Sequence, residues 1–189
     1  MPLITTLAGA SARGFGGLVT FGVPNSYDSI ATVTVGSGGS ASVTFSSIPA
    51  TYTHLQIRGF ARAGSDTQLD TTLNSDTGAN YSYHTLLGYG SGTDAAGDAN
   101  VSKIVMEAMP NATSVFTGYV IDILDYANTN KYKTTRNLAG YDNNSAGRVS
   151  LNSGNWRNTN AITSITLTAR STTFQQYSQF ALYGIKGSA

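Results

Sequence analysis

From Tyr27 onward the chain is written with a period of two. The run VFTGYVIDILDY, residues 115–126, sets Tyr119, Ile121 and Ile123 on one side and Val120, Asp122 and Leu124 on the other. Side chains of an extended strand point alternately to opposite faces, so this spacing predicts a strand with one buried side. Its apolar content alone would suit a helix, but its β-branched and aromatic bias favours the strand. Residues 54–60 repeat the beat, with Leu55 and Ile57 against Gln56 and Arg58. Shorter runs follow it at 29–35, 41–46, 71–74, 81–87, 101–107, 131–138, 147–151, 162–167 and 180–185. Turn residues separate them. Residues 29–35 and 41–46, joined by GSGGS, read as a hairpin, and so do 115–126 and 131–138 across 127–130. The strands at 71–74 and 81–87 flank a turn at 74–80, and 88–100 reads as a long Gly/Asp loop. About ten short strands predict an all-β chain, an antiparallel β-sandwich or jelly-roll-like domain.

Composition supports that class. Ser, Thr, Asn and Gly supply 81 of 189 residues, against one glutamate, Glu107, and four lysines. Charged helix formers are therefore too scarce for long solvated helices. The surfaces must instead be built from hydroxyls and amides, which suits contact with proteins or sugars. Net charge is +1 with no basic block, so no nucleic-acid partner is expected. The absence of cysteine excludes thiolate catalysis, zinc–thiolate sites and disulfides. No stretch approaches the roughly 20 apolar residues of a spanning helix, so no membrane insertion is expected.

Residues 1–24 differ from the rest. They hold five glycines, two prolines and no acidic residue, and they show no period. No Lys or Arg precedes their apolar part, so they read as mature sequence rather than a secretion signal. Their apolar residues suit an extended arm that docks on a neighbour, with Leu7, Arg13, Phe15 and Phe21 as the anchoring residues. The expected division is an attachment arm, 1–24, and a β-sandwich domain, 25–189.

Signals of catalysis are weak. His54 and His84 each fall inside a predicted strand, and no G-x-S-x-G elbow is present. Hydrolysis of a glycoside needs two facing carboxylates; Glu107 is the single glutamate, Asp122 and Asp125, three apart in a strand, face opposite sides, and Glu107 or Asp122 is the residue to mutate in a test of hydrolysis. The aspartates at 66, 70 and 76 and at 94 and 98 crowd two loop regions without the D-x-D-x-D-G order of a calcium loop. The expectation is a non-enzyme with no metal and no cofactor. Aromatics beside amide-rich segments are the better lead, because sugars stack on aromatic rings while amides take their hydroxyls. Tyr81, Tyr89, Tyr141, Asn143, Asn144 and Trp156 are the candidate contacts for a host surface or glycan. The same residue types also anchor ordinary protein interfaces and cores.

Three stretches carry a resemblance. They are Ala10-Ser11-Ala12-Arg13-Gly14-Phe15-Gly16, then Ile121-Asp122-Ile123-Leu124-Asp125-Tyr126 with Asn128-Thr129-Asn130-Lys131-Tyr132-Lys133, and Phe180-Ala181-Leu182-Tyr183-Gly184-Ile185-Lys186-Gly187. Together they resemble the small β-rich virion structural proteins of tailed bacteriophages. The resemblance implies a virion location, tail rather than head, and a tail fibre or tail-tip component that attaches by its arm. It implies a homotrimer, partners among tail, baseplate or capsid proteins, and contact with host cell-surface polysaccharide. A capsid decoration or cement protein that stabilises the head shell is the alternative.

Overall fold

The structure, a computed structural model, describes residues 26–144 and 146–187. The expected arm, with Leu7, Arg13, Phe15 and Phe21, lies outside them. Twelve strands follow in order: β1 Tyr27–Thr34, β2 Ser42–Phe45, β3 His54–Ala61, β4 Thr67–Leu73, β5 Tyr81–Tyr89 and β6 Gly92–Val101, then β7 Ile104–Met109, β8 Thr117–Leu124, β9 Lys133–Asp142, β10 Gly147–Trp156, β11 Ile165–Ala169 and β12 Gln179–Ile185. Every pairing is antiparallel. One sheet has eight strands in the order β1-β12-β3-β8-β9-β10-β5-β6, and the other has four, β2-β11-β4-β7. The chain is therefore an all-β sandwich, as its alternation predicts.

Setting aside the hairpins β5–β6 and β9–β10 makes the plan simpler. The remaining eight strands form two four-stranded sheets, β1-β12-β3-β8 and β2-β11-β4-β7, and the chain changes sheet at every step except from β4 to its partner β7. That winding is a jelly roll. The β5–β6 hairpin is inserted between β4 and β7, and β9–β10 between β8 and β11. Both insertions join the larger sheet on the same side, where β10 pairs with β5 over nine residues from Arg148↔Tyr89 to Trp156↔Tyr81.

The core follows the alternation. Leu55 and Ile57 of β3, Ile121 and Ile123 of β8, and Phe180 and Leu182 of β12 are fully buried between the sheets. Leu69, Leu73, Ile165 and Leu167 of the small sheet meet them. Phe174 lies edge-on to Phe180, with ring centroids 5.3 Å apart. Under the extension the inward positions turn polar. Thr135 and Asn137 of β9 and Ser150 and Asn152 of β10 are buried. They face β7, which lacks a strand partner on that side. Tyr119 Oη donates to the Glu107 carbonyl at 3.0 Å, and Thr117 Oγ1 to the Ala108 carbonyl at 2.9 Å. Side chains thus satisfy backbone groups that a further strand would otherwise take.

Several local expectations change. Residues 29–35 and 41–46 are not a hairpin: β1 lies in the large sheet and β2 in the small one, so GSGGS is a crossover between layers. The strands at 71–74 and 81–87 likewise separate, β4 to the small sheet and β5 to the large. Residues 88–100 are not a loop but the end of β5, a tight turn at Gly90 and Ser91, and β6. The edge strand β6 is exposed on both faces, so no apolar beat marks it. The strand read at 101–107 is divided at Ser102 and Lys103 into the end of β6 and the start of β7.

The turn between β8 and β9 depends on one cation. Lys133 is fully buried, and its Nζ donates to the carbonyls of Asn128, Lys131 and Thr159. Burial, then the neighbouring Lys131, holds its pKa below the ordinary lysine value. Lys133→Met keeps the stem and removes all three donations. It should destabilise the domain by about 2–4 kcal/mol in urea unfolding. A change within about 0.5 kcal/mol, the range of an ordinary surface substitution, would contradict this role.

Candidate functional site

Register brings two of the predicted contact residues and one unforeseen residue to a single place, and a third predicted residue, Asn144, lines the same concavity. On the inward side of the extension, Tyr141 of β9 is paired with Arg148 of β10, and Arg148 with Tyr89 of β5. Next in the row stands Gly92 of β6. A Cβ there would meet Tyr89 Cε2 at 3.1 Å, so glycine lets the ring lie across the neighbouring strand. The row sits beside a concavity of about 830 Å3 between the β5–β6 turn and the β9–β10 turn, whose lining includes Tyr89, Ser91, Tyr141, Asn144 and Arg148. That volume is in the range of small-molecule and saccharide clefts.

Arg148 is held from behind. Its Nη1 lies 3.3 Å from Glu107 Oε1, with the arginine side chain 43% exposed and the glutamate 5%. Glu107 Oε1 also accepts the Ala108 N–H at 2.6 Å. The single glutamate of the chain is thus a buried anchor for the guanidinium of Arg148, a residue that also lines the concavity. Glu107 and Asp122 do not face each other. Glu107 lies between the sheets, whereas Asp122 is on the outer face, accepting from Gln56 Nε2 at 2.7 Å. Burial raises the Tyr141 hydroxyl pKa, Arg148 opposes that shift, and Asp66 and Glu107 add to it.

Tyr89 is 45% exposed. Two phenol rings flanking a guanidinium can stack on the apolar face of a sugar ring, with the guanidinium donating to its hydroxyls or to a carboxylate. Asn144 lines the same concavity with φ +69°, a left-handed position that asparagine tolerates. Asn143 shapes the turn instead, its Oδ1 accepting the Ala146 N–H at 2.7 Å. Arg148 and Glu107 gave no contact-site signal in the sequence. The one available clue was an isolated glutamate in an otherwise apolar strand.

Tyr81 and Trp156 require correction as surface contacts. They are buried, 0% and 1% exposed, and stack at 6.3 Å between ring centroids with an interplanar angle of 18°. The physical reason is Asp76. Its Oδ2 accepts Trp156 Nε1 at 2.7 Å and Asn80 Nδ2 at 2.9 Å, and its Oδ1 accepts the Gly78 N–H at 2.8 Å. Tyr81 Oη receives the Leu73 N–H at 3.0 Å and donates toward the Leu73 and Asp76 carbonyls. Burial pushes its pKa up to about 12. The polar tips of both rings are satisfied inside, so the rings are free to serve the core.

The other titratable residues are engaged locally. Asp70 pairs with Arg170 at 2.5 Å and Lys103 at 2.6 Å, and Asp66 Oδ1 accepts the Asn111 N–H at 2.8 Å. Among the described residues no group of three His, Cys, Asp or Glu could hold a metal ion. His54 Nδ1 accepts the Asp125 N–H at 2.9 Å. His84 stands on the outer face opposite Gly97, four strands away.

The Trp156 hydrogen bond, followed by those from Asn80 and Gly78, lowers the Asp76 pKa against the opposing effect of burial. The folded state therefore favours the ionised carboxylate. Its contribution is complete above the ordinary value of 3.8 and is lost as pH falls through the lower folded value. Asp76→Ala should cost about 1–3 kcal/mol at neutral pH, and its gap from the parent chain should narrow below about pH 4. Fluorescence of Trp156, the one tryptophan, reports the unfolding. A gap that stays constant into acid would contradict the assignment. Compared with protein-family models, curated proteins and solved structures, the chain gives no match in any of the three.

Proposed function

We propose that the chain is a structural protein of a tailed-bacteriophage virion, a tail fibre or tail-tip component that meets the host surface. The observation that carries this reading is the Tyr141–Arg148–Tyr89 row at the rim of a jelly roll. The jelly roll recurs in viral capsid and lectin domains, and here two inserted hairpins widen one sheet and end in that row. Such a rim offers ring faces and a fixed cation to a polysaccharide, and it can gain strength from repetition in a symmetric particle. The sequence resemblance supports the same placement. In this reading residues 1–24 join the chain to the tail, Tyr89, Tyr141, Asn144 and Arg148 touch the host polysaccharide, and the chain is no enzyme and takes no cofactor.

A second reading, a capsid decoration protein, is favoured by one observation. Leu86, Leu138, Leu151 and Val149 on the outer sheet face are each more than half exposed. Exposed apolar surface of that kind marks protein contacts, as a shell clamp would need.

Labelled antibody fragments on intact particles separate the two. Signal confined to the tail is the expected result, and signal spread over the head would overturn the fibre reading in favour of decoration. In the first case Tyr89→Ala and Arg148→Ala should each weaken binding to purified host polysaccharide about tenfold or more, as loss of one hot-spot contact does. Unchanged binding would remove this rim from the account.

A further inference from the structure

The outer face of the large sheet carries two parallel rows across β8, β9, β10 and β5. Cross-strand pairing aligns Val120, Leu138, Leu151 and Leu86 in one row. It aligns Gly118, Gly140, Val149 and Gly88 in the next. The three leucines are 54%, 51% and 58% exposed. An aliphatic ridge therefore runs beside a shelf with three glycines.

Gly140 has an internal reason to be glycine, because a Cβ there would lie 2.9 Å from the Arg148 carbonyl oxygen. Gly118 has none, since the nearest atom to its Cβ would be the Gly140 oxygen at 3.9 Å. Gly88 would make an ordinary contact, 3.4 Å to Val149 Cγ1. Glycine weakens a strand interior and often marks close approach by something outside it.

We propose that this face is a twofold interface with a second copy of the chain, the aliphatic ridge of each copy seated on the glycine shelf of the other. A twofold axis lying in the interface, across the strands, exchanges residues equidistant from it along each strand. If it crosses β9 at Ala139, Leu138 of one copy faces Gly140 of the other. Crossing β8 at Tyr119 sets Val120 on Gly118, and crossing β5 at Leu87 sets Leu86 on Gly88. Tyr119, Ala139, Ser150 and Leu87 are themselves successive cross-strand partners, so one line meets all four strands at the required points. The same axis places exposed Arg136 of β9, whose cross-strand partner in its own copy is Asp122, opposite exposed Asp142 of β9 in the other copy, whose Oδ1 accepts the Asn144 N–H at 2.6 Å, so opposite charges meet at that point as well.

With the flanking strands β3 and β6, the face spans roughly 29 Å by 27 Å at ordinary strand and residue spacings. That matches the roughly 800 Å2 per partner of a standard interface. The pairing departs from the homotrimer that the resemblance implies, and Gly88, Val149 and Asp142 of this face also line the concavity beside Tyr89. Its test does not depend on where the protein sits in a particle.

Sedimentation equilibrium of the full chain should show a monomer–dimer equilibrium. Gly118→Val has room in the monomer and should leave thermal unfolding unchanged or raise it, yet weaken the dimer about tenfold or more. Arg136→Asp and Asp142→Arg should each weaken it similarly, and the double variant R136D/D142R should restore it. A monomer at all concentrations, a trimer, a dimer indifferent to Gly118→Val, or a double variant that fails to recover would each overturn the proposal. Binding of residues 1–25 or another virion protein to this face would appear as the first of these.

Discussion

The pairing of β10 with β5 is the constraint on which the functional surfaces depend. The jelly roll alone needs neither strand. Two hairpins leave it at different points in the chain, one after β4 and one after β8. β9–β10 continues the large sheet through the pairing of β9 with β8, whereas β5–β6, which would not be stable as a free ribbon in water, joins the sheet only through β10, edge to edge over nine residues. That continuation brings Tyr89 beside Arg148 on the inward side and Leu86 beside Leu151 on the outward side. It also places Trp156 across from Tyr81, where Asp76 ties the β4–β5 connection to the end of β10. Without this junction the tyrosine–arginine row would lose Tyr89, and the ridge and shelf would lose Leu86 and Gly88.

The two resembling motifs within the described residues belong mainly to the jelly roll and its turns, and the motif at 10–16 lies outside them. Ile121 and Ile123 are core residues, and the stretch from Asp125 to Lys133 builds the β8–β9 turn. Asp125 takes φ +48° and pairs with Lys131, Tyr126 is buried with its hydroxyl on the Pro49 carbonyl, and Lys133 holds three carbonyls. In the last motif Phe180 and Leu182 fill the core. Gly184 lets the Tyr52 ring lie on β12, since a Cβ would be 2.3 Å from Tyr52 Cγ. Lys186 pairs with Asp28 at 2.7 Å. These residues are accounted for by architecture, while the surfaces proposed for contact lie mostly outside the motifs.

The same division explains what could be read in the sequence. Strands with one apolar face, β3 and β8 above all, were legible because burial imposes a period of two. The edge strand β6 was not, since an exposed Ala/Gly/Asp strand has no face to mark. The far half of β10, beyond 151, is hidden for a related reason: its inward positions before Trp156 are Asn152 and Gly154, polar or small beneath β7. Residue proximity in the chain also misled. Residues 29–46 look like a hairpin, yet jelly-roll winding sends their two strands to different sheets. Tyr81 and Trp156 stand among amides, a setting that suits the surface, but Asp76, distant from Trp156 in sequence, supplies the acceptor that lets the indole be buried. Tyr89, Tyr141 and Asn144 do share one concavity, while Arg148 and its anchor Glu107 emerge only from register.

Hydrogen exchange resolved along the chain tests the β5–β10 junction most directly. The account predicts that amides of residues 81–89 and 147–156 are protected together, to an extent comparable with β9. Residues 92–101 should be protected only on their paired side. Rapid exchange throughout 81–101, with β1, β3, β8 and β12 still protected, would show a jelly roll whose inserted hairpin does not join the sheet, and would contradict the account.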